Sequence, residues 1–330
     1  MPDEYSKFAD KIGAYAAPGG QVHIGTQIIE GQPQLQPKKH IPYRGSVHFV
    51  GRETELTTLH EDLQRGDYVA ISGMGGLGKT ELAIQYAKRY ENDYGGITWL
   101  NARGNNLAEE VLKFFSSQFE LEIPQEQGDK LLTLQEQVAW CWLQYPDSEK
   151  PILIICDDVT ELVQLQEIIP SDNRFRVFVT TRLRNLDPNF IQQLSLDVLS
   201  LETALELLQK QLGKDDKRVI RERETAQEIC NFLEYLPLGI ILVGGYLLND
   251  PGLSLDKMLE RLQQHKLAET ALEGKETLNK TQLGVKAAFT LTWQELDTQT
   301  KHLGAFLSLF SPQFILWELV IEVIKFEREN

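Results

Sequence analysis

Basic residues are scarce in this 330-residue chain: 33 Lys and Arg stand against 48 Asp and Glu, a formal net charge of −15. A broad nucleic-acid or anionic-membrane surface needs the opposite balance, because such surfaces work by displacing counterions with cationic side chains. Cysteine is scarce too. Cys141, Cys156 and Cys230 are scattered and odd in number, which gives neither a disulfide framework nor a metal-ligand spacing and suits a reducing cytosol. The N-terminus, MPDEYSKFADK, lacks the basic start and apolar core of a secretory signal. Long apolar runs are missing as well, since the most apolar region, LGAFLSLFSPQFILWELVIEVIKF, is broken by Pro312, Glu318 and Glu322. There is no internal repeat at solenoid periods and no N-K-x-D guanine-reading segment. These absences lead to the expectation of a soluble cytoplasmic protein without a membrane partner, and they disfavour nucleic acid and GTP as ligands.

What is present falls into blocks, and the length has room for about two or three domains. Residues 1–46 are rich in Gly, Gln and Pro and read as a linker or extension. Within them Val22, Ile24, Thr26 and Ile28 alternate as a single short strand would. Over residues 47–196, short apolar runs alternate with helical stretches. YVAIS, GGITWLN, PILIICDD and FRVFVTTR read as strands, while Leu82, Ala83, Tyr86, Ala87 and Tyr90 recur at helical spacing. Near-continuous apolar strands alternating with helices predict a parallel sheet with helices on both faces. After Leu196 the strand signals stop. Ser200 is a candidate N-cap for LETALELLQKQL, and Pro237 fits the first turn of the helix that follows it. Residues 197–269 are therefore expected to be all-helical, and 270–330 to hold a further helical piece. Its signals are the stripe Leu303, Phe306, Leu307 and Phe310 and a last amphipathic helix carrying Glu318 and Glu322.

The chemistry concentrates in one loop. Gly73-Met74-Gly75-Gly76-Leu77-Gly78-Lys79-Thr80 fits G-x-x-x-x-G-K-[ST] in full. Glycines let successive N–H groups turn inward on phosphate oxygens, and the helix that follows adds its positive end. Lys79 is placed to reach the β- and γ-phosphates, the Thr80 hydroxyl to ligate Mg²⁺, and Glu81 to join the loop's ligand contacts. A second Mg²⁺ anchor is expected at the end of an apolar strand, where PILIICDDV supplies Asp157 for the metal and Asp158 to polarise the attacking water. Arg182 ends another strand, where its fork suits the γ-phosphate.

Together these segments resemble the NB-ARC family within the STAND class of signal-transduction ATPases. HFVGRETELTTL is similar to the family's adenine-side lead-in, with Val50 and Arg52 at the matching positions, and GMGGLGKTELA to its phosphate loop. YGGITWLNA, LIICDDV and VTTR resemble its second, Mg²⁺ and sensor strands. LEYLPLGI is similar to its G-L-P-L motif, with Tyr235 in place of the usual glycine and Pro237 at the nucleotide-closing proline. FTLTWQELDTQTKHLGAFLSLF resembles the first helices of a winged-helix domain.

The resemblance implies an α/β P-loop NTPase over 47–196, an ARC-type helical domain over 197–269 and a partial winged-helix domain over 270–330. It also implies an expectation of truncation, because the M-H-D segment of that last domain is absent. The implied ligands are ADP or ATP with Mg²⁺. The implied function is a switch in which ADP holds the domains closed and ATP opens them toward self-association or protein partners, with slow hydrolysis resetting the state. Two alternatives stand beside it: an ATP-driven remodelling ATPase of AAA+ type, for which neither an arginine finger nor a pore-loop aromatic is identified, and a truncated ADP-binding scaffold without turnover.

Overall fold

The computed structural model describes residues 35–66, 68–104, 106–128, 130–170, 172–273, 280–309 and 320–321, with backbone alone for 266–273 and 280–282. Elements follow in the order α1 (Glu53–Arg65), β1 (Val69–Ser72), α2 (Lys79–Arg89), β2 (Gly96–Asn101), α3 (Leu107–Phe119), β3 (Glu126–Gln127), β4 (Lys130–Leu131), α4 (Leu134–Leu143), β5 (Ile152–Val159), α5 (Leu162–Ile168), β6 (Phe175–Thr181) and β7 (Gln192–Ser195). The main sheet is wholly parallel in the order β2-β5-β6-β1-β7. Burial explains that geometry. β1 is buried along its whole length, and β2, β5 and β6 over all but one residue each, as strands covered on both faces must be.

All four expected strands form. The fifth, β7, is written QQLS, and its single apolar residue, Leu194, is too little for a strand signal. It lies at the sheet edge against β1, Val69 opposite Gln192, where half-exposed polar side chains are tolerated. At the opposite edge, Ile97 N–H donates to Lys38 O and Ile97 O accepts from His40 N–H, each at 2.8 Å. Chain from Pro37 onward thus belongs to the compact unit with the sheet. The candidate strand at Val22–Ile28 lies outside the described residues.

Beyond β7 come α6 (Leu201–Leu212), α7 (Arg218–Arg221), α8 (Arg223–Phe232), α9 (Pro237–Asn249), α10 (Leu255–Glu273), α11 (Lys280–Glu295) and α12 (Thr298–Leu307). The Ser200 side chain accepts from Thr203 N–H and caps α6, and Pro237 occupies the first turn of α9. The helices share a core built on Leu208, Ile229, Leu233, Val243, Leu247 and Met258. Two residues cross over. Val50, which precedes α1, is buried in this helical core, and Leu236, which precedes α9, is buried in the sheet-side core with Leu77 and Ile71.

The helix α10 is continuous through residue 269 to Glu273. The described parts of 270–330 are mostly helical, with Leu303, Phe306 and Leu307 half-buried on α12; Phe310, Pro312, Glu318 and Glu322 lie outside them. Among the described residues no helix is long and apolar enough to cross a membrane. The three cysteines are buried and unbridged, and burial pushes each thiol up to about 12.

Candidate nucleotide-binding site

The glycine loop leaves the C-terminal end of β1 and enters α2 at Gly78. Gly78 takes the N-cap position with φ 89°, a left-handed backbone that glycine adopts without penalty. Gly76, at φ 84°, also faces a close neighbour: a Cβ there would come within 2.7 Å of Leu236 Cδ2. Lys79 is buried and bent back over the loop, its Nζ donating at 2.8 Å to both Gly73 O and Met74 O. Burial lowers its pKa, as does the nearby Arg182 guanidinium, while Asp158 and Asp157 act in the opposite direction.

At the foot of α2 the Thr80 hydroxyl donates to the Asp157 carboxylate at 2.9 Å, and the Thr180 hydroxyl donates to the same group at 2.5 Å. Asp157 is buried, which raises its pKa, and the two hydroxyls oppose that shift. The Thr80 hydroxyl and this carboxylate are hard oxygen donors side by side, a pair that fits Mg²⁺. Among the described residues no group of three His, Cys, Asp or Glu could hold a metal. A Mg²⁺ at this point would draw its other ligands from phosphate oxygens and water.

Asp158 sits one residue on, at φ 59°, where the β5–β6 register shifts between Cys156 and Val159. Its N–H donates to Thr180 Oγ1 at 2.8 Å. Such a bulge re-aims a side chain at a strand end, and the Asp158 carboxylate meets two guanidiniums, Arg182 Nε at 3.5 Å and Arg103 Nε at 3.6 Å. Arg103 was not among the expected site residues. Its signal in the sequence is its place in NARG, just past a strand that neighbours β5.

Two cavities meet over the loop. One, of about 270 Å³, is lined by Gly75, Gly76, Lys79, Thr80, Asp158 and Arg182, with Arg103 at its side. The other, of about 70 Å³, has a mostly apolar lining that includes Phe49, Val50, Leu77, Leu199 and Leu207, along with Arg52 and Glu81. Gly78, Pro237 and Ile241 line both, so an elongated ligand with one flat apolar end and one anionic end fits the pair.

Expected residues that line neither cavity directly are few; Gly73 shapes the loop through the carbonyl that holds Lys79, and Asp157 sits behind Thr80. Arg52 and Glu81 have structural partners as well. Arg52 donates to Asp197 O at 2.6 Å and to Glu55 at 2.8 Å, tying the lead-in to the chain before α6. Glu81 accepts from Ser46 N–H and from Gln85, both at 2.7 Å, and so holds the lead-in against α2.

The roof comes from the helical side. Leu238 N–H donates to Gly76 O at 3.3 Å, and Leu236 packs where Gly76 leaves room. The turn that delivers them is left-handed at two successive residues, Glu234 at φ 50° and Tyr235 at φ 57°, and Tyr235 N–H donates to Cys230 O to close α8. The usual glycine of the resembling motif has this conformational reason, and the tyrosine adopts the same backbone at a cost of about 1 kcal/mol.

A glycine loop between a buried parallel strand and a helix, with a lysine, a threonine and a strand-end aspartate around it, defines a P-loop nucleotide-binding protein. The chain belongs to the NB-ARC family: the NB-ARC domain model matches residues 52–234. Among curated relatives, "Regulatory protein AfsR" of Streptomyces griseus is 26% identical over 79% of this chain and 26% of its own length. "Disease resistance RPP8-like protein 3" of Arabidopsis thaliana is 22% identical over 88% of this chain and 33% of its own. The chain thus spans about a quarter to a third of the length of these relatives. Among solved structures, a signal transduction ATPase with numerous domains and a tetratricopeptide repeat sensor, from Pyrococcus horikoshii, aligns at 20% identity and TM-score 0.44. That alignment covers 83% of this chain and 36% of that one.

Proposed function

We propose that this chain is an adenine-nucleotide switch: it binds ADP or ATP with Mg²⁺ between the sheet and the helices that follow, and the state of the nucleotide sets whether the two sides stay docked. The observation that carries this reading is the shared roof. Pro237 and Ile241 of α9 complete a cleft whose floor is Gly78, and Leu238 N–H bonds Gly76 O. A ligand that touches both sides favours the docked arrangement by its differential affinity, the requirement for a population shift. In this reading Val50 and Arg52 border the base, and the 73–80 loop with Glu81 surrounds the phosphates. Thr80 and Asp157 hold Mg²⁺, Asp158 orients the attacking water and Arg182 reads the γ-phosphate.

Hydrolysis, ATP and water giving ADP and phosphate, resets the switch slowly. The ATP state exposes the docked surfaces to a second copy or to a protein partner, in keeping with the regulatory and disease-resistance roles in the relatives' names. The parts that move against each other are residues 47–196 and 197–269.

The test combines nucleotide binding with mass in solution. Purified chain is expected to bind ADP and ATP, and Lys79→Ala to lose at least about 100-fold in affinity for both, since a charge-assisted contact in a buried loop is lost together with the group that orders the loop. A wild-type affinity in that variant sinks the site assignment. Equal mass and equal protease sensitivity with ADP and with a non-hydrolysable ATP analogue would leave a nucleotide-binding scaffold and remove the switch.

A further inference from the structure

We propose that Arg103 is a second reader of the terminal phosphate, acting across Asp158 from Arg182, and that it makes the site discriminate nucleoside triphosphate from diphosphate. The inference rests on the nucleotide reading above. In the sheet, β5 lies between β2 and β6. Asp158 is at the end of β5, Arg103 just past β2 and Arg182 just past β6, so the flanking strands deliver one guanidinium to each side of one carboxylate. The placement of Arg103 is built in. Ala102 N–H donates to Asp157 O at 2.8 Å, carrying the β2–β5 ladder up to the residue before it. The Asp158 bulge turns the carboxylate into the same cavity that Arg103, Lys79 and Thr80 line.

Both guanidiniums are more than half exposed, at 58% each, whereas Asp158 is 19% exposed. An ion pair between such exposed arginines and a single carboxylate is worth little in water. A phosphoryl group, with three acceptor oxygens and close to two charges, matches a guanidinium fork better than a shared carboxylate does. A diphosphate held by the loop and Lys79 leaves the arginines on Asp158. A triphosphate reaches one group further along the cavity, toward the strand ends, and draws them off. The exchange also strips Asp158 of its counter-ions at the point where the attacking water must be held, so one contact both reads the ligand and frees the base.

The experiment measures Kd for ADP and for a non-hydrolysable ATP analogue, each with Mg²⁺, on the whole chain and on Arg103→Ala, Arg103→Gln and Arg103→Lys. In Arg103→Ala the ratio of analogue Kd to ADP Kd is expected to rise about tenfold, the scale of one charge-assisted contact at a half-exposed site, while ADP affinity changes by less than about twofold. Arg103→Lys restores part of the ratio and Arg103→Gln does not; the glutamine variant carries the test if the alanine variant fails to fold. A ratio that stays at the wild-type value, or an equal loss for both nucleotides, overturns the assignment and leaves Arg103 a structural partner of Asp158. Wild-type chain that binds neither nucleotide overturns the nucleotide reading itself and this inference with it, a result distinct from an unchanged ratio.

Discussion

Asp157 answers to two demands that pull against each other. The proposed Mg²⁺ role requires its charge, and its position behind Thr80 and Thr180 removes that charge from water. Burial therefore holds its pKa above the ordinary carboxylate value, which makes the sign of its stability effect unusual for an aspartate. A raised folded pKa means that the folded chain holds this proton more tightly than the unfolded one. The residue then favours the fold below the ordinary value of 3.8 and costs stability once pH rises through the raised pKa. At neutral pH, without nucleotide, Asp157→Asn is expected to raise Tm by on the order of 2 °C, because removing the buried charge is worth about 1 kcal/mol in a chain of this size. The same variant is expected to lose the Mg²⁺-dependent part of nucleotide affinity. Calorimetric melts with and without Mg²⁺–ADP check both, and a lowered apo Tm contradicts the account.

Residues differ in how plainly the sequence shows them. Lys79, Thr80 and Asp157 were legible because the loop and the strand-end acid are local patterns. Arg103 was not, because its meaning depends on β2 lying beside β5, a fact of strand order that spacing along the chain does not carry. Arg52 and Glu81 were legible as positions, but their bonds to Asp197 and Ser46 are long-range contacts.

Among the elements, the five-stranded sheet was readable as far as burial wrote it. β1, β2, β5 and β6 are apolar because both faces are covered, and β7 is mostly polar because it is partly exposed along its length. The helices α6 and α9 announced themselves through Ser200 and Pro237, whose roles are local. α7 gave no such notice, since its four residues, Arg218–Arg221, are ordered by an arginine rather than by periodicity. Arg218 is 12% exposed, pairs with Asp216, and donates to Leu247 O at 2.9 Å and Leu253 O at 2.8 Å. It therefore fastens α7 to the end of α9 and the start of α10. Arg218→Met leaves those carbonyls without the guanidinium and the Asp216 carboxylate with only the residue-218 backbone N–H, and is expected to cost about 2–4 kcal/mol, read as a lower urea midpoint at unchanged slope. Here the pH dependence has the ordinary sign. The Arg218 hydrogen bonds hold Asp216 below its usual value, so its contribution is present above 3.8 and is lost as pH falls through the lowered pKa. In Arg218→Met that acid-side loss is expected to shrink, the residue-218 backbone N–H and the nearby Arg221 charge still holding part of it.

At the scale of the whole molecule, small attachments join the sheet-side and helical cores, among them Val50 in the helical core, Leu236 in the sheet-side core, the Arg52–Asp197 bond and the Leu238–Gly76 bond. Gly76 is where they can be loosened without touching a ligand-facing side chain. Gly76→Ala adds a Cβ at a left-handed residue, 2.7 Å from Leu236 Cδ2. The backbone term alone is about 1 kcal/mol, and displacing Leu236 adds to it. Release of a fluorescent ADP analogue in stopped flow is expected to quicken by about fivefold or more, while the Tm of the isolated fold moves by only a few degrees. An unchanged release rate would show that docking at Leu236 does not govern the cleft.

The two cavities that meet beneath Pro237 and Ile241 set a timetable as well as a fit. A nucleotide lying across both would have its midpoint roofed at the junction, so it could not slide out along either end while α9 stayed seated. Its residence time would then equal the waiting time for α9 to lift, and the left-handed pair Glu234–Tyr235 would set the stiffness of that hinge. The clock of such a switch runs on the departure of spent nucleotide, and its escapement is a turn outside the phosphate loop.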